Sequence, residues 1–377
     1  MPEVVHIASK PRSVCAIRPG ARPQYAAVVT LPMAGCQPAQ HALVALLLLL
    51  LLLALPQVTA AQGQTLRDVV FGEYGEHSSN PETARRLLSP LTAARLEREL
   101  AHSGRAVAAQ PANLAAERFI VYLPSQQPAR GFALVVFVPP WQDARVPSGW
   151  EPVLDRHGVI YVSAARCGND EDVLGRREPL ALLAAYNIMK RYPVDPERIY
   201  VAGFSGGSRI ALRLALGYPD LFRGAILNAG SDPIGDRQIP LPPKDLFLRF
   251  QSSTHIVYVT GERDTEHLAD DMASIHSLHK WCVANVDEFV LPRLAHEVAD
   301  AAALDRALGE LLKSAQPHPT ELAACRSRVE AELEENVQKV QKLLAAGRRA
   351  AADKLLLRID QRFGGLAAPR SIELATQ

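Results

Sequence analysis

The sequence predicts an α/β protein: a mainly parallel sheet covered by helices on both faces, extended at its C-terminal end by a helical hairpin. Three observations carry this. Between Phe119 and Lys313, short runs of β-branched and aromatic residues alternate with longer runs of good helix formers, the pattern of strands joined by crossover helices. One run, Phe132-Ala133-Leu134-Val135-Val136-Phe137-Val138, is apolar throughout, as a strand covered on both faces must be. Beyond Pro317, Leu322, Val329, Leu333, Val337, Val340 and Leu344 recur at helical spacing among Glu, Arg, Lys and Gln.

Composition sets the outer bounds. The chain has 377 residues, 48% hydrophobic, which suffices for a large core. Its 41 Lys+Arg nearly balance 40 Asp+Glu, and no basic block is present, so a nucleic-acid partner is not expected.

The elements follow in order. Residues 1–60 read as a leader with a signal peptide. Ala42 to Leu55 is an unbroken, leucine-dominated apolar run, short for a membrane span and suited to a secretory h-region. Val58-Thr59-Ala60 places small residues where signal peptidase needs them, so cleavage is expected after Ala60 and the protein is expected to be exported, periplasmic or secreted. An uncleaved N-terminal membrane anchor is the alternative. Met33 is an alternative start that would shorten the leader.

Residues 61–116 read as a helical segment. Ser89-Pro90 and Asn80-Pro81 each place a capping residue before a proline at the first helical position, predicting helices over roughly 81–88 and 90–102. A larger domain spans 117–315. Its expected strands are Phe119–Leu123, Phe132–Val138, Val159–Val162, Ile199–Val201, Gly224–Asn228, His255–Val259 and Glu288–Leu291. Helices are expected over about 179–191, 206–216, 268–283 and 301–313. Residues 316–377 form the C-terminal helical extension, whose second helix ends at Gly364-Gly365. Its expected role is to brace the core, with a protein partner as the alternative. Past the leader three cysteines remain, Cys167, Cys282 and Cys325; export would allow one disulfide, and spacing does not choose among the three pairings.

The chemistry centres on Ile199-Tyr200-Val201-Ala202-Gly203-Phe204-Ser205-Gly206-Gly207-Ser208. A buried strand runs into G-x-S-x-G and then a helix, the layout that exposes a serine hydroxyl on a sharp turn at a helix N-terminus. The pentapeptide alone is a weak signal; its strand and helix make it specific. A serine nucleophile needs a base, and the base an orienting carboxylate, both just beyond the carboxyl ends of strands. His296 follows Phe289-Val290-Leu291, and Asp264 follows Val257-Tyr258-Val259, giving the chain order Ser205, Asp264, His296. Glu266 shares the acid loop and is the rival orienting acid, while Asp270 and Asp271 are expected on the solvated face of the next helix. His255, His267, His276 and His279 fall at a strand start or in or beside that helix, where structural roles suffice. His296-Glu297-Val298-Ala299-Asp300 has Asp300 where a zinc-protease motif needs a second histidine, and no phosphate-binding loop occurs, so no metal or cofactor is expected.

Residues 117–315 resemble the α/β-hydrolase superfamily. The run from Val194 through Asp195-Pro196-Glu197-Arg198 into the serine turn is similar to secreted esterases of the polyhydroxyalkanoate-depolymerase and feruloyl-esterase type. The resemblance implies an α/β-hydrolase fold and hydrolysis of small-molecule or polymeric carboxylic esters through an acyl-enzyme on Ser205, Asp264 and His296. The other readings are a serine peptidase or acyltransferase on the same residues, or a non-catalytic hydrolase fold that binds a partner. That family usually has His-Gly in the oxyanion loop; here the loop is Val138-Pro139-Pro140-Trp141-Gln142. Proline has no N–H, so the oxyanion donors are expected to be Gly206 and Trp141, with Gln142 as the substitute for the latter.

Overall fold

Hydrogen bonding, not propensity, decides which apolar runs become a sheet and in what order. The computed structural model describes residues 63–104, 108–313 and 319–377. The expected leader and its cleavage site lie outside them. Eight strands form one sheet: β1 (Gln64–Val69), β2 (Phe119–Leu123), β3 (Phe132–Val138), β4 (Val159–Ala164), β5 (Val194–Phe204), β6 (Gly224–Asn228), β7 (His255–Gly261) and β8 (Val286–Leu291). Their order across the sheet is β1-β2-β4-β3-β5-β6-β7-β8. The β1–β2 and β2–β4 pairs are antiparallel, and every pair from β4 to β8 is parallel.

β3 shows how the core is built. Leu134, Val136 and Val138 enter one hydrophobic cluster, and Ala133, Val135 and Phe137 enter the other. A period of two thus divides a wholly apolar strand between two cores. The first cluster is covered by α4 (Glu178–Arg191), α5 (Gly206–Gly217) and α6 (Lys244–Ser253). The second is covered by α3 (Glu151–His157) and α8 (Ala301–Leu311). Neither α3 nor α6 was expected. Each is short, α6 has only ten residues, and too few turns are present for a periodic signal to stand out.

The segment expected to be helical does hold α1 (Asn80–Leu87) and α2 (Pro90–Ser103), each with proline in its first turn. It also holds β1, which corrects the all-helical reading of that stretch. β1 is an edge strand with a register shift between Leu66 and Val69 and a left-handed Asp68. Polar, partly exposed and bulged, it carries no apolar alternation.

The described residues form one compact unit, and the C-terminal helices share the sheet's core. They are α9 (Pro319–Ala345), α10 (Arg349–Phe363) and α11 (Arg370–Thr376), with α9 and α10 as the hairpin. Val337 and Val340 bury the inner face of α9. Cys325 on α9 is joined to Cys282 just beyond α7 (Thr265–Lys280), leaving Cys167 as a buried free thiol. Asp360 on α10 accepts from Ser89 Oγ at 2.5 Å and from the Leu91 amide at 2.9 Å, and so caps α2. Among the described residues, no helix is long and apolar enough to cross a membrane.

Candidate active site

Ser205 sits between β5 and α5 with φ +54° and ψ −126°, a conformation that costs a non-glycine residue energy and holds its hydroxyl off the sheet edge. Two glycines make the turn sterically possible. A Cβ on Gly203 would lie 2.2 Å from the Gly207 carbonyl oxygen, and one on Gly207 would lie 1.9 Å from that of Val138. The second approach seats the end of β3, and the loop after it, directly against the start of α5. The Ser205 amide donates to Asn228 O at 2.8 Å.

That asparagine, at the end of β6, ties the neighbouring loops to the serine turn. Its Nδ2 donates to Val259 O at 2.7 Å, and its Oδ1 accepts from the Ala299 amide at 2.8 Å. The loops after β7 and β8 are zipped together by backbone bonds. Glu262 N donates to Leu291 O and Arg263 N to Leu294 O, both at 2.9 Å. Gly261 permits this closeness, because a Cβ there would lie 2.4 Å from Leu294 O and 2.5 Å from Ala295 O.

These loops bring Ser205, His296 and Asp264 together. His296 Nε2 lies 3.0 Å from Ser205 Oγ, and its Nδ1 lies 2.6 Å from Asp264 Oδ2. With a carboxylate facing Nδ1, the proton of the neutral ring belongs there, which leaves Nε2 free to accept from the serine hydroxyl. The His296 side chain is 37% exposed and that of Asp264 only 6%, so a ligand can reach the imidazole but not the carboxylate behind it. Burial pushes the Asp264 carboxyl upward, but hydrogen bonds from His267 and His296 outweigh it and hold the group below the usual carboxylate range. Glu266 is exposed and makes no such contact, and Glu262 is spent on the Arg293 amide at 3.0 Å. Asp264, His267 and His296 hold donor atoms within 4.8 Å of one another. Both imidazole Nδ1 atoms are engaged by the carboxylate, and His296 Nε2 faces Ser205 Oγ, so these donor atoms are spent on one another.

A sheet of this strand order, with a strained serine between its central strand and the following helix, decides the architecture. The chain has the α/β-hydrolase fold. No family model matches it. Among curated proteins, "Putative esterase NocK" of Nocardia uniformis subsp. tsuyamanensis is 43% identical over 53 residues, 14% of this chain and 13% of that protein. The chain therefore spans only a small part of that relative. Solved structures similar to it include the S-formylglutathione hydrolase FrmB of Staphylococcus aureus, at 12% identity and TM-score 0.42, covering 52% of this chain and 93% of that one. An acetyl xylan esterase from Aspergillus awamori is similar at 13% identity and TM-score 0.40, covering 52% and 94%. A ferulic acid esterase is similar at 16% identity and TM-score 0.39, covering 52% and 90%.

In α/β-hydrolase terms, the loop after β3 is where a second oxyanion donor would stand. Here it is anchored from behind. Buried Arg177 donates to Pro139 O at 2.9 Å and to Cys167 O at 3.0 Å, and the Asn169 amide donates to Pro140 O at 3.1 Å. The Trp141 ring packs near Phe137 and Phe204, and the Arg145 guanidinium lies 4.1 Å from its centroid. Among the described residues, neither the Trp141 nor the Gly206 amide has an acceptor. Arg177 was not singled out from sequence, since a lone arginine before a helix carries no signal of where its guanidinium will reach.

Asp271 departs from expectation. It is fully buried, not solvated, and Thr260 Oγ1 and the Gly230 amide donate to its Oδ2. Burial raises its pKa to about 7, against those two hydrogen bonds. The unfolded value is about 3.9, so between these pH values the folded chain keeps a proton that the unfolded chain has released. Stability contributed here is therefore lost as pH rises through that window. Asp271→Asn is expected to be more stable than wild type at pH 8, by on the order of a few kcal/mol and with a higher melting temperature, and to lose that advantage near pH 4. Thermal unfolding of both proteins across this range checks it; a pH-independent difference would be the contrary result.

Proposed function

We propose that this protein is a serine hydrolase that cleaves carboxylic esters through an acyl-enzyme. The observation that carries the reading is the unbroken hydrogen-bond chain from Ser205 Oγ to His296 Nε2 and from His296 Nδ1 to the buried Asp264. Ser205 Oγ attacks the ester carbonyl carbon as its proton passes to His296 Nε2. The tetrahedral intermediate collapses, and the alcohol leaves with that proton. Water then attacks the acyl-enzyme by the same route and releases the acid. Asp264 stays ionised and stabilises the imidazolium. The amides of Gly206 and Trp141 receive the oxyanion, in keeping with the packing of Gly207 against Val138.

A fluorophosphonate probe and a panel of esters of graded acyl length test the proposal together. Labelling and turnover that both require Ser205 support it. A folded protein that takes up no probe would be a binder on a hydrolase scaffold, and turnover of peptides in preference to esters would move it to the peptidases.

The oxyanion role of Trp141 has its own test. Its amide, not its ring, is the proposed donor, so Trp141→Pro should cut kcat by about 100- to 1000-fold, whereas Trp141→Ala should chiefly raise KM. Full turnover in a folded Trp141→Pro variant would place the donor elsewhere. We also propose that the protein is exported after cleavage behind Ala60, on the strength of the apolar run from Ala42 to Leu55. N-terminal sequencing of the protein from its native host should begin near Ala61; a full-length product confined to the cytoplasm would refute this.

A further inference from the structure

The Asp264 carboxylate serves two histidines. Its Oδ2 faces His296 Nδ1 at 2.6 Å, and its Oδ1 faces His267 Nδ1 at 2.8 Å. The two imidazoles lie nearly parallel, 18° apart, with centroids separated by 4.1 Å. Phe204 also packs near His296, with ring centroids 4.8 Å apart. His267 is itself wedged in place. A Cβ on Gly230 would lie 2.4 Å from His267 Cδ2, and the Gly230 amide is fixed by buried Asp271. Asp264 occupies the residue before α7 without capping it through its side chain, and His267 stands in the first turn, at the i+3 spacing that brings the two side chains together.

We propose that His267 is a positioning residue, acting through Asp264 and on the His296 ring; this rests on the ester-hydrolase reading above. A carboxylate with one histidine partner can rotate about its Cβ–Cγ bond and present either oxygen. With the second Nδ1–H on Oδ1, the Asp264 plane is set, and Oδ2 is left in line with His296. The stacked ring removes the remaining freedom, tilt of the His296 imidazole, so that Nε2 points at Ser205 Oγ. His267 is not the base: its Nδ1 is turned to the carboxylate, and the serine oxygen is engaged by His296.

Three substitutions separate its two contributions. His267→Asn keeps an N–H where Nδ1 stood, His267→Phe keeps the stacked ring, and His267→Ala keeps neither. His267→Ala should lower kcat by about 10- to 100-fold with KM within about twofold, as misplacement of a reacting group by a fraction of an ångström does. His267→Asn should recover most of the loss, and His267→Phe a smaller part. Proton NMR supplies a readout that needs no substrate. The downfield imidazole N–H resonance of the Asp264–His296 hydrogen bond should be present in wild type and His267→Asn, and weakened or lost in His267→Ala. Should His267→Ala fail to fold, the Asn and Phe variants carry the same comparison against wild type.

The proposal is overturned if His267→Ala keeps wild-type kcat and resonance, if the loss falls on KM, or if His267→Asn is as impaired as His267→Ala. A loss as complete as that of Ser205→Ala would also overturn it, by making His267 a reacting group. Absence of Ser205-dependent turnover in wild type, with the resonance still responding to His267, would instead sink the ester-hydrolase reading alone.

Discussion

Ser205→Ala is expected to lower ester turnover by about a million-fold and to abolish fluorophosphonate labelling, while leaving the melting temperature close to that of wild type. The physical case is that the substitution removes the hydroxyl oxygen that lies against His296 Nε2, the proposed nucleophile. Ser205 Oγ accounts for one hydrogen bond, to an imidazole that is itself partly exposed, so little folding energy goes with it. What remains would be background catalysis from the amides after the turn and from substrate binding. Alanine at φ +54° pays the same conformational cost as serine, so the backbone has no new reason to move. Turnover on the preferred ester, measured beside probe labelling and thermal unfolding, checks all three parts. A folded Ser205→Ala variant with substantial activity would mean that another nucleophile operates and that the site has been misassigned.

Asp264→Asn is expected to cost about ten-thousandfold in kcat. Two effects combine. The negative charge that stabilises the imidazolium is lost, and an amide cannot present an oxygen to both of its neighbours. Asp264 accepts from two Nδ1–H groups, one on each carboxylate oxygen. In the amide, one histidine must face an NH2 group. If that histidine is His296, its ring is driven to the tautomer with the proton on Nε2, and it can no longer take a proton from Ser205. Conservative changes at the neighbouring acids should do little. Glu266 is exposed, and the Asp270 side chain, 42% exposed, pairs with Arg209 of α5 at 3.0 Å. Glu266→Gln and Asp270→Asn should therefore keep turnover within about threefold of wild type, as exposed substitutions away from a reacting centre do. A mild Asp264→Asn beside a crippled Glu266→Gln would reverse the assignment of the acid.

The legibility of this site in the sequence follows the range of the forces that make it. The serine turn is local: a β-branched strand, two glycines and a run of helix formers occupy consecutive positions, and the steric need for Gly203 and Gly207 lies within that same stretch and the strand beside it. Asp264 and His296 stand just after strands in the sequence, and a parallel sheet gathers such loops at one edge. Sequence separates Asp264 from Glu266 poorly, because both residues share a loop and both suit a helix N-terminus. The decision lies in direction. Asp264 precedes α7 with its side chain turned under the loop after β8, while Glu266 is already on the first turn and faces solvent.

Other features needed contacts between distant segments. Asp271 read as a solvated helix acid and is instead buried against Thr260 and Gly230, because the inner face of α7 carries Ser274, Ser277 and Leu278 and so lacks a continuous apolar stripe. His267 read as an ordinary helix histidine. Its role emerges only when the loop after β8 lays the His296 ring against it.

The sequence by itself determined the alternating α/β plan, the central apolar strand, the serine turn and the chain order of Ser205, Asp264 and His296, since periodicity and turn sterics act over a few residues. Only the tertiary structure decided that β1 closes the antiparallel edge, that Cys282 pairs with Cys325, that Asp264 is the acid held by the histidine, and that it holds a second histidine as well. Each of these depends on strand register and loop packing that bring residues tens of positions apart to within bonding distance, and no local pattern encodes such a distance.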